Sequence, residues 1–237
     1  QSGTFDVIGP AEDAKGFYAK GEIIKLHHER VYRTAQSGSA FVKGGAGSPE
    51  NWKCHVGYDG TPSESSQWLL DFSDFASFAG SDPYWVDETG ESGKPVIGAL
   101  NYLASKGVNS IYSIMNTRDG DADCNHAYKA FQVLQDFDNS KLEQWSQMIH
   151  HACQKDIAVH LLFTEQENHN VYGAPGADHF RKLYHREMVA RFEHFPCVIW
   201  ELGEELGSGV SGFVYSSDLV AEHALEFRRL NQDPALG

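Results

Sequence analysis

From residue 40 onward, short apolar runs alternate with amphipathic stretches of helical period, and this alternation constrains the fold more than any other feature. The runs lie at 40–45, 108–116, 157–163 and 197–200. Between the first two, residues 95–106 carry apolar side chains at 96, 97, 100 and 103, and Gly107 stops the pattern. Asp138-Asn-Ser-Lys opens a second amphipathic stretch whose stripe is Leu142, Trp145, Met148, Ile149 and Ala152. A third covers 179–194, with Leu183, Met188, Val189 and Phe192 on one side, and a fourth covers 217–230. Stripes at this spacing predict helices. Strands separated by such helices predict parallel βα units. Nearly continuous apolar runs suit strands covered on both faces. No G-x-G-x-x-G or G-x-x-x-x-G-K-[ST] follows any run, so nucleotide binding has no support.

Residues 1–39 have a different texture. F-D-V-I (5–8), G-E-I-I-K-L (21–26) and R-V-Y-R-T-A (30–35) are short β-like pieces separated by turn residues. They predict a β-rich segment, either the end of a β-sandwich or strands that lead into the next unit. A formal charge of −14 with no compensating basic run opposes nucleic-acid binding. No stretch is long and apolar enough to cross a membrane as a helix. The opening QSGTFDV has neither an initiator Met nor a basic-then-apolar leader, and the chain reads as a fragment.

Each predicted strand ends in a polar cluster: S-P-E-N-W, N-T-R-D, T-E-Q-E-N and E-L-G-E-E. In a (β/α)8 barrel the C-terminal strand ends converge on one face, where the active site forms. Four polar strand ends in succession predict that architecture, with residues 40–237 supplying its first four βα units. The fourth end poses the sharpest question. In C-V-I-W-E-L-G-E-E-L (197–206), a run expected to be buried turns abruptly acidic, and burying an unpaired carboxylate is costly.

Trp200-Glu-Leu-Gly-Glu-Glu resembles the W-x-x-x-N-E pattern of the large clan of retaining (β/α)8 glycoside hydrolases. The segments F-V-K-G-G-A-G-S-P-E-N-W, I-G-A-L-N-Y-L-A-S-K-G-V-N-S-I-Y, K-L-E-Q-W and R-K-L-Y-H-R-E-M-V-A-R-F are similar to those of bacterial multidomain glycosidase-like proteins, which carry a β-sandwich before the barrel. The resemblance implies Glu205 as general acid/base and puts Glu204 where the clan has an Asn that contacts the sugar 2-hydroxyl. A glutamate there still accepts such a hydrogen bond. The implied chemistry uses two carboxyl groups roughly 5–5.5 Å apart, one shuttling a proton and one attacking the anomeric carbon. In the clan the attacking group ends strand seven. Only one helix and a short tail follow Glu205, so no residue here is assigned that role. Half a barrel leaves strand edges open, so the remaining half, or another chain, is the expected partner.

Further candidates for contact with a carbohydrate substrate are Glu50, Asn51 and Trp52 after the first strand, Asn116 after the second, and Glu165, Glu167 and Asn168 after the third. Trp52, Tyr58, Trp85 and Tyr172 are candidate stacking platforms, whereas Trp68 and Trp145 read as core. No cofactor or metal is expected. Asp119-Gly-Asp-Ala-Asp starts like a calcium loop, but Cys124 and Ala130 stand where such a loop needs Gly and Glu. Cys54, Cys124, Cys153 and Cys197 form no C-x-x-C pair, and Cys153 and Cys197 read as small buried hydrophobes. The expected protein is secreted or periplasmic. The alternative is a carbohydrate-binding or structural module that kept a barrel surface without catalysis.

Overall fold

The computed structural model describes residues 10–45, 52–61, 69–86, 92–118, 120, 124–130, 133–168, 178–206 and 216–232. A short helix α1 (Phe17–Lys20) precedes three strands, β1 (Ile23–Lys25), β2 (Tyr32–Thr34) and β3 (Ala40–Phe41), which form an antiparallel sheet in chain order. A 3-10 helix (Ser73–Ala79) and α2 (Lys94–Ser105) follow. Three βα units come next: β4 (Ser110–Ile114), α3 (Asn139–Gln154), β5 (Ala158–Glu165), α4 (Asp178–Phe192), β6 (Val198–Glu204) and α5 (Ser217–Gln232). β4, β5 and β6 pair in parallel and in sequence order, with Ile111 opposite Val159, Leu161 opposite Trp200 and Glu165 opposite Glu204.

The run at 40–45 departs from expectation. Its first two residues close the antiparallel sheet, Phe41 opposite Tyr32, instead of starting the parallel one. The chain then crosses to β4 through a side chain. Asn109 donates from its amide to Val42 O (2.9 Å) and accepts from Gly44 N (2.7 Å), while its own N–H donates to Gly44 O (2.9 Å). At Gly45 a methyl group would collide with the Ser110 carbonyl, so glycine is required for this approach.

The helices follow their local signals. Asp138 caps α3, its carboxylate accepting from Lys141 N at 3.0 Å, and the stripe Leu142, Trp145, Met148, Ile149 and Ala152 is wholly buried. That stripe meets Ile111, Val159, Leu161 and Phe163 from one face of the sheet, and Tyr184, Met188 and Phe192 of α4 complete the core. Gly107 follows α2 at φ +77°, in the left-handed region expected of a helix stop. β6 is less buried than its apolar run predicts. All seven of its residues are half-buried, because among the described residues only β5 pairs with it. Trp200 lies against Phe163 (ring centroids 5.0 Å, interplanar 9°) and Phe227, so this motif residue belongs to the packed face.

All four cysteines are paired, which their spacing did not reveal. Cys54–Cys124 links the segment after β3 to the loop after β4, and Cys153–Cys197 ties the end of α3 to the start of β6. Cα separations are 5.3 and 5.1 Å, within the range a disulfide requires.

Lys53 is the unexpected core residue, at 1% exposure. Its ammonium donates to Ser113 Oγ and Ile114 O and lies 5.0 Å from the Trp145 ring centroid. A hydroxyl, a carbonyl and an indole do not replace lost hydration, and burial holds its pKa well below the ordinary lysine value. The unfolded chain therefore binds more protons than the native one from the depressed folded pKa up to about pH 10.4, and stability rises with pH across that window. Lys53→Met is expected to stabilise the protein by about 1–3 kcal/mol at pH 7. Urea unfolding checks this, and the advantage should shrink toward pH 10. A less stable variant at pH 7 would show that the lysine environment is compensated.

Candidate functional site at the strand ends

The C-terminal ends of β4, β5 and β6 lie side by side, and the parallel register fixes which residues meet. Glu165 and Glu204 are Cα partners at the last paired position. Neighbouring strands run about 4.8 Å apart, so two carboxylates leave adjacent strands at one level. Glu165 is 2% exposed, and a methyl group on Gly120 would collide with its carboxylate, so the turn after β4 lies directly over it. Glu204 is half-buried and accepts a hydrogen bond from the Tyr112 hydroxyl at 3.2 Å.

Glu205 differs from its neighbour. It is exposed and sits at φ +51°, a left-handed conformation that turns the chain out of the strand. The two adjacent glutamates are therefore distinguished by backbone as well as by partner.

The other expected site residues have varied surroundings. Asn116 is wholly buried, and its Oδ1 accepts from Arg118 N (3.0 Å) in a local turn. Thr117 N donates to Asn125 O (2.8 Å), and the Asn125 amide donates to Ile114 O, which pins that turn against β4. Glu167 is half-buried in the 3-10 turn Gln166–Asn168 that follows β5. Glu50, Asn51 and Tyr172 lie outside the described residues, as do Trp68, Asp119, Asp121, Asp123 and the side chain of Asn168.

The proposed stacking platforms that are described prove to be packing residues. Trp52 is 3% exposed against Phe72, and Tyr58 stacks on Trp85 with ring centroids 5.0 Å apart. Trp85 donates its indole N–H to Gly57 O at 2.6 Å. Their faces are used inside the protein, so the expected exposure of Trp52, Tyr58 and Trp85 is corrected. Trp145 is core, as expected.

A polar layer that the sequence reading missed lies on the sheet face opposite α3. Lys43 Nζ donates to His160 Nδ1 (2.8 Å), and His160 Nε2 lies 2.8 Å from Glu201 Oε2. Tyr112 meets the His160 ring edge-on at 5.5 Å. Burial, with Lys43 adding to it, pushes the His160 pKa down to about 4, so the imidazole is neutral at pH 7. Burial also raises the Glu201 carboxyl, with Lys43 opposing. The available signal was a polar residue interrupting an apolar run, Tyr112 in S-I-Y-S-I and His160 in A-V-H-L-L.

A cavity of about 640 Å³ opens elsewhere, lined by His150, His151 and Gln154 of α3 together with Arg191, His194 and Phe195. Among the described residues, its lining includes no strand-end residue.

No protein-family model and no curated protein matches the chain. Solved structures do. A glycoside hydrolase family 5 protein from Bacteroides vulgatus superposes with a TM-score of 0.55 at 12% identity, over 92% of this chain and 40% of that one. A second structure, described as a glycoside hydrolase, gives 0.56 at 13% identity, over 93% and 41%. The chain thus spans about two fifths of the length of these neighbours. At such identity the likeness concerns the fold, a mixed α/β arrangement around a parallel sheet.

Proposed function

We propose that this chain is the N-terminal half of a (β/α)8 glycoside hydrolase that cleaves a polysaccharide or oligosaccharide with retention of configuration. The observation that carries the reading is the end of β6, where Glu204 and Glu205 emerge beside Glu165 at the matched end of β5. The fold likeness to glycoside hydrolases supports it.

In this reading Glu205 is the general acid/base. It protonates the leaving glycosidic oxygen as the C–O bond breaks, then takes a proton from the water that releases the sugar. The nucleophile comes from the remaining half of the barrel or another chain. Glu204 contacts substrate, Glu167, Asn168, Glu50 and Asn51 contribute to the surrounding subsites, and the buried Asn116, Glu165 and Trp52 support them through packing. A secreted or periplasmic location suits a polysaccharide substrate, and two disulfides fit an oxidising compartment.

The near-complete burial of Asn116, Glu165 and Trp52 favours the second reading, a carbohydrate-binding or structural module without catalysis. A reducing-end assay of the full-length protein across a polysaccharide panel separates the two. New reducing ends support the hydrolase. Binding without cleavage supports the module.

A further inference from the structure

We infer that Tyr112 is a positioning residue for Glu204, held in place by the Lys43–His160–Glu201 layer beneath it. The inference rests on the hydrolase reading for its catalytic meaning, but its geometry is independent of that reading. Tyr112 lies in mid-β4, level with His160 on β5. Its hydroxyl reaches past β5 to Glu204 Oε1 on β6, so one hydrogen bond links the first and third strands of the sheet.

The ring direction is set from two sides. The His160 imidazole stands perpendicular to it, and Lys43 Nζ lies 5.7 Å from its centroid. The imidazole is itself oriented. Lys43 has only N–H donors to offer, so His160 Nδ1 accepts; its Nε2 then carries the proton, with Glu201 Oε2 2.8 Å away. Lys43 thus fixes the tautomer of the ring that braces Tyr112, and Glu201 stands on the far side of that ring.

A phenol donating to a carboxylate favours the ionised acid, and at 3.2 Å the bond orients Glu204 more than it strengthens its hold. Glu204 is the last paired residue of β6, and Glu205 turns away immediately afterwards. Tyr112 adds a constraint from across the sheet. It gives Glu204 one direction and favours its charged form.

The test is a double-mutant cycle of Tyr112→Phe and Glu204→Ala in the full-length protein, because a glutamine would keep an oxygen that accepts from the phenol. Tyr112→Phe is expected to lower kcat about fivefold, the size of one ordinary lost hydrogen bond, with KM little changed. It should also move the acidic limb of the pH–activity profile to higher pH. In the Glu204→Ala background the same change should have almost no effect on the residual kcat, because a residue acting through the Glu204 carboxylate has nothing left to position. Equal losses in both backgrounds with an unmoved profile would overturn the inference and leave the hydrolase reading intact. A wild-type protein that cleaves nothing would instead sink the hydrolase reading. The cycle is then read in thermal unfolding at pH 7, where non-additive midpoints support the Tyr112–Glu204 link and additive ones overturn it.

Discussion

Glu205→Gln in the full-length protein is expected to slow cleavage of substrates with poor leaving groups by about 10²–10⁴-fold, the usual contribution of general acid–base catalysis. Activated aryl glycosides should suffer far less in the bond-breaking step, because their leaving groups depart without a proton. The contrast isolates proton donation from folding and binding, which would affect both substrates alike. Equal loss on the two would remove Glu205 from the acid/base role. The position is well chosen for such a test, since Glu205 is exposed and follows the last paired residue of β6. A glutamine there disturbs neither the core nor the ladder.

The second large effect concerns stability. Loss of either disulfide is expected to cost about 4 kcal/mol, the loop-closure entropy of the 44 and 70 residues that separate Cys153 from Cys197 and Cys54 from Cys124. Substituting both cysteines of a pair with alanine or serine, and comparing unfolding midpoints with the parent, measures each bridge. All four sulfurs are at most 1% exposed, so the variants are a cleaner probe than added reductant, which needs an opened chain. The Cys153–Cys197 pair carries a further consequence. It fastens the base of β6, the edge strand of the sheet among the described residues, to the buried Cys153 in the last turn of α3. Its removal should therefore loosen the strand that presents Glu204 and Glu205. An unchanged midpoint would mean that packing alone holds that strand.

Features carried by near neighbours in sequence were readable from it. The cap at Asp138, the stop at Gly107, the stripe on α3 and the order of the three βα units all depend on residues within a few positions of one another. Features that depend on distant partners were not readable. The run at 40–45 looks like a strand either way; its first residues pair with β2, and the rest is tied to the start of β4 by Asn109, more than sixty residues on. Cysteine pairing at separations of 44 and 70 leaves no mark in spacing.

The candidate site divides along the same line. Glu204 and Glu205 stood out because an apolar run ended in acid. The layer of Lys43, Tyr112, His160 and Glu201 draws on β4, β5, β6 and the segment after β3, and only the register brings it together. The aromatic residues failed for a related reason. Side-chain type indicates a capacity to stack on a sugar, but exposure decides whether a face is available. Trp52, Tyr58 and Trp85 spend theirs on one another and on Phe72.

The most direct measurement is the anomeric configuration of newly formed reducing ends, followed by proton NMR as the full-length protein acts on a polysaccharide from the panel. A double displacement predicts that the first product detected keeps the configuration of the bond that was cut, with the other anomer appearing only by slow mutarotation. Initial release of the inverted anomer would contradict the retaining mechanism, and so would the absence of any new reducing end.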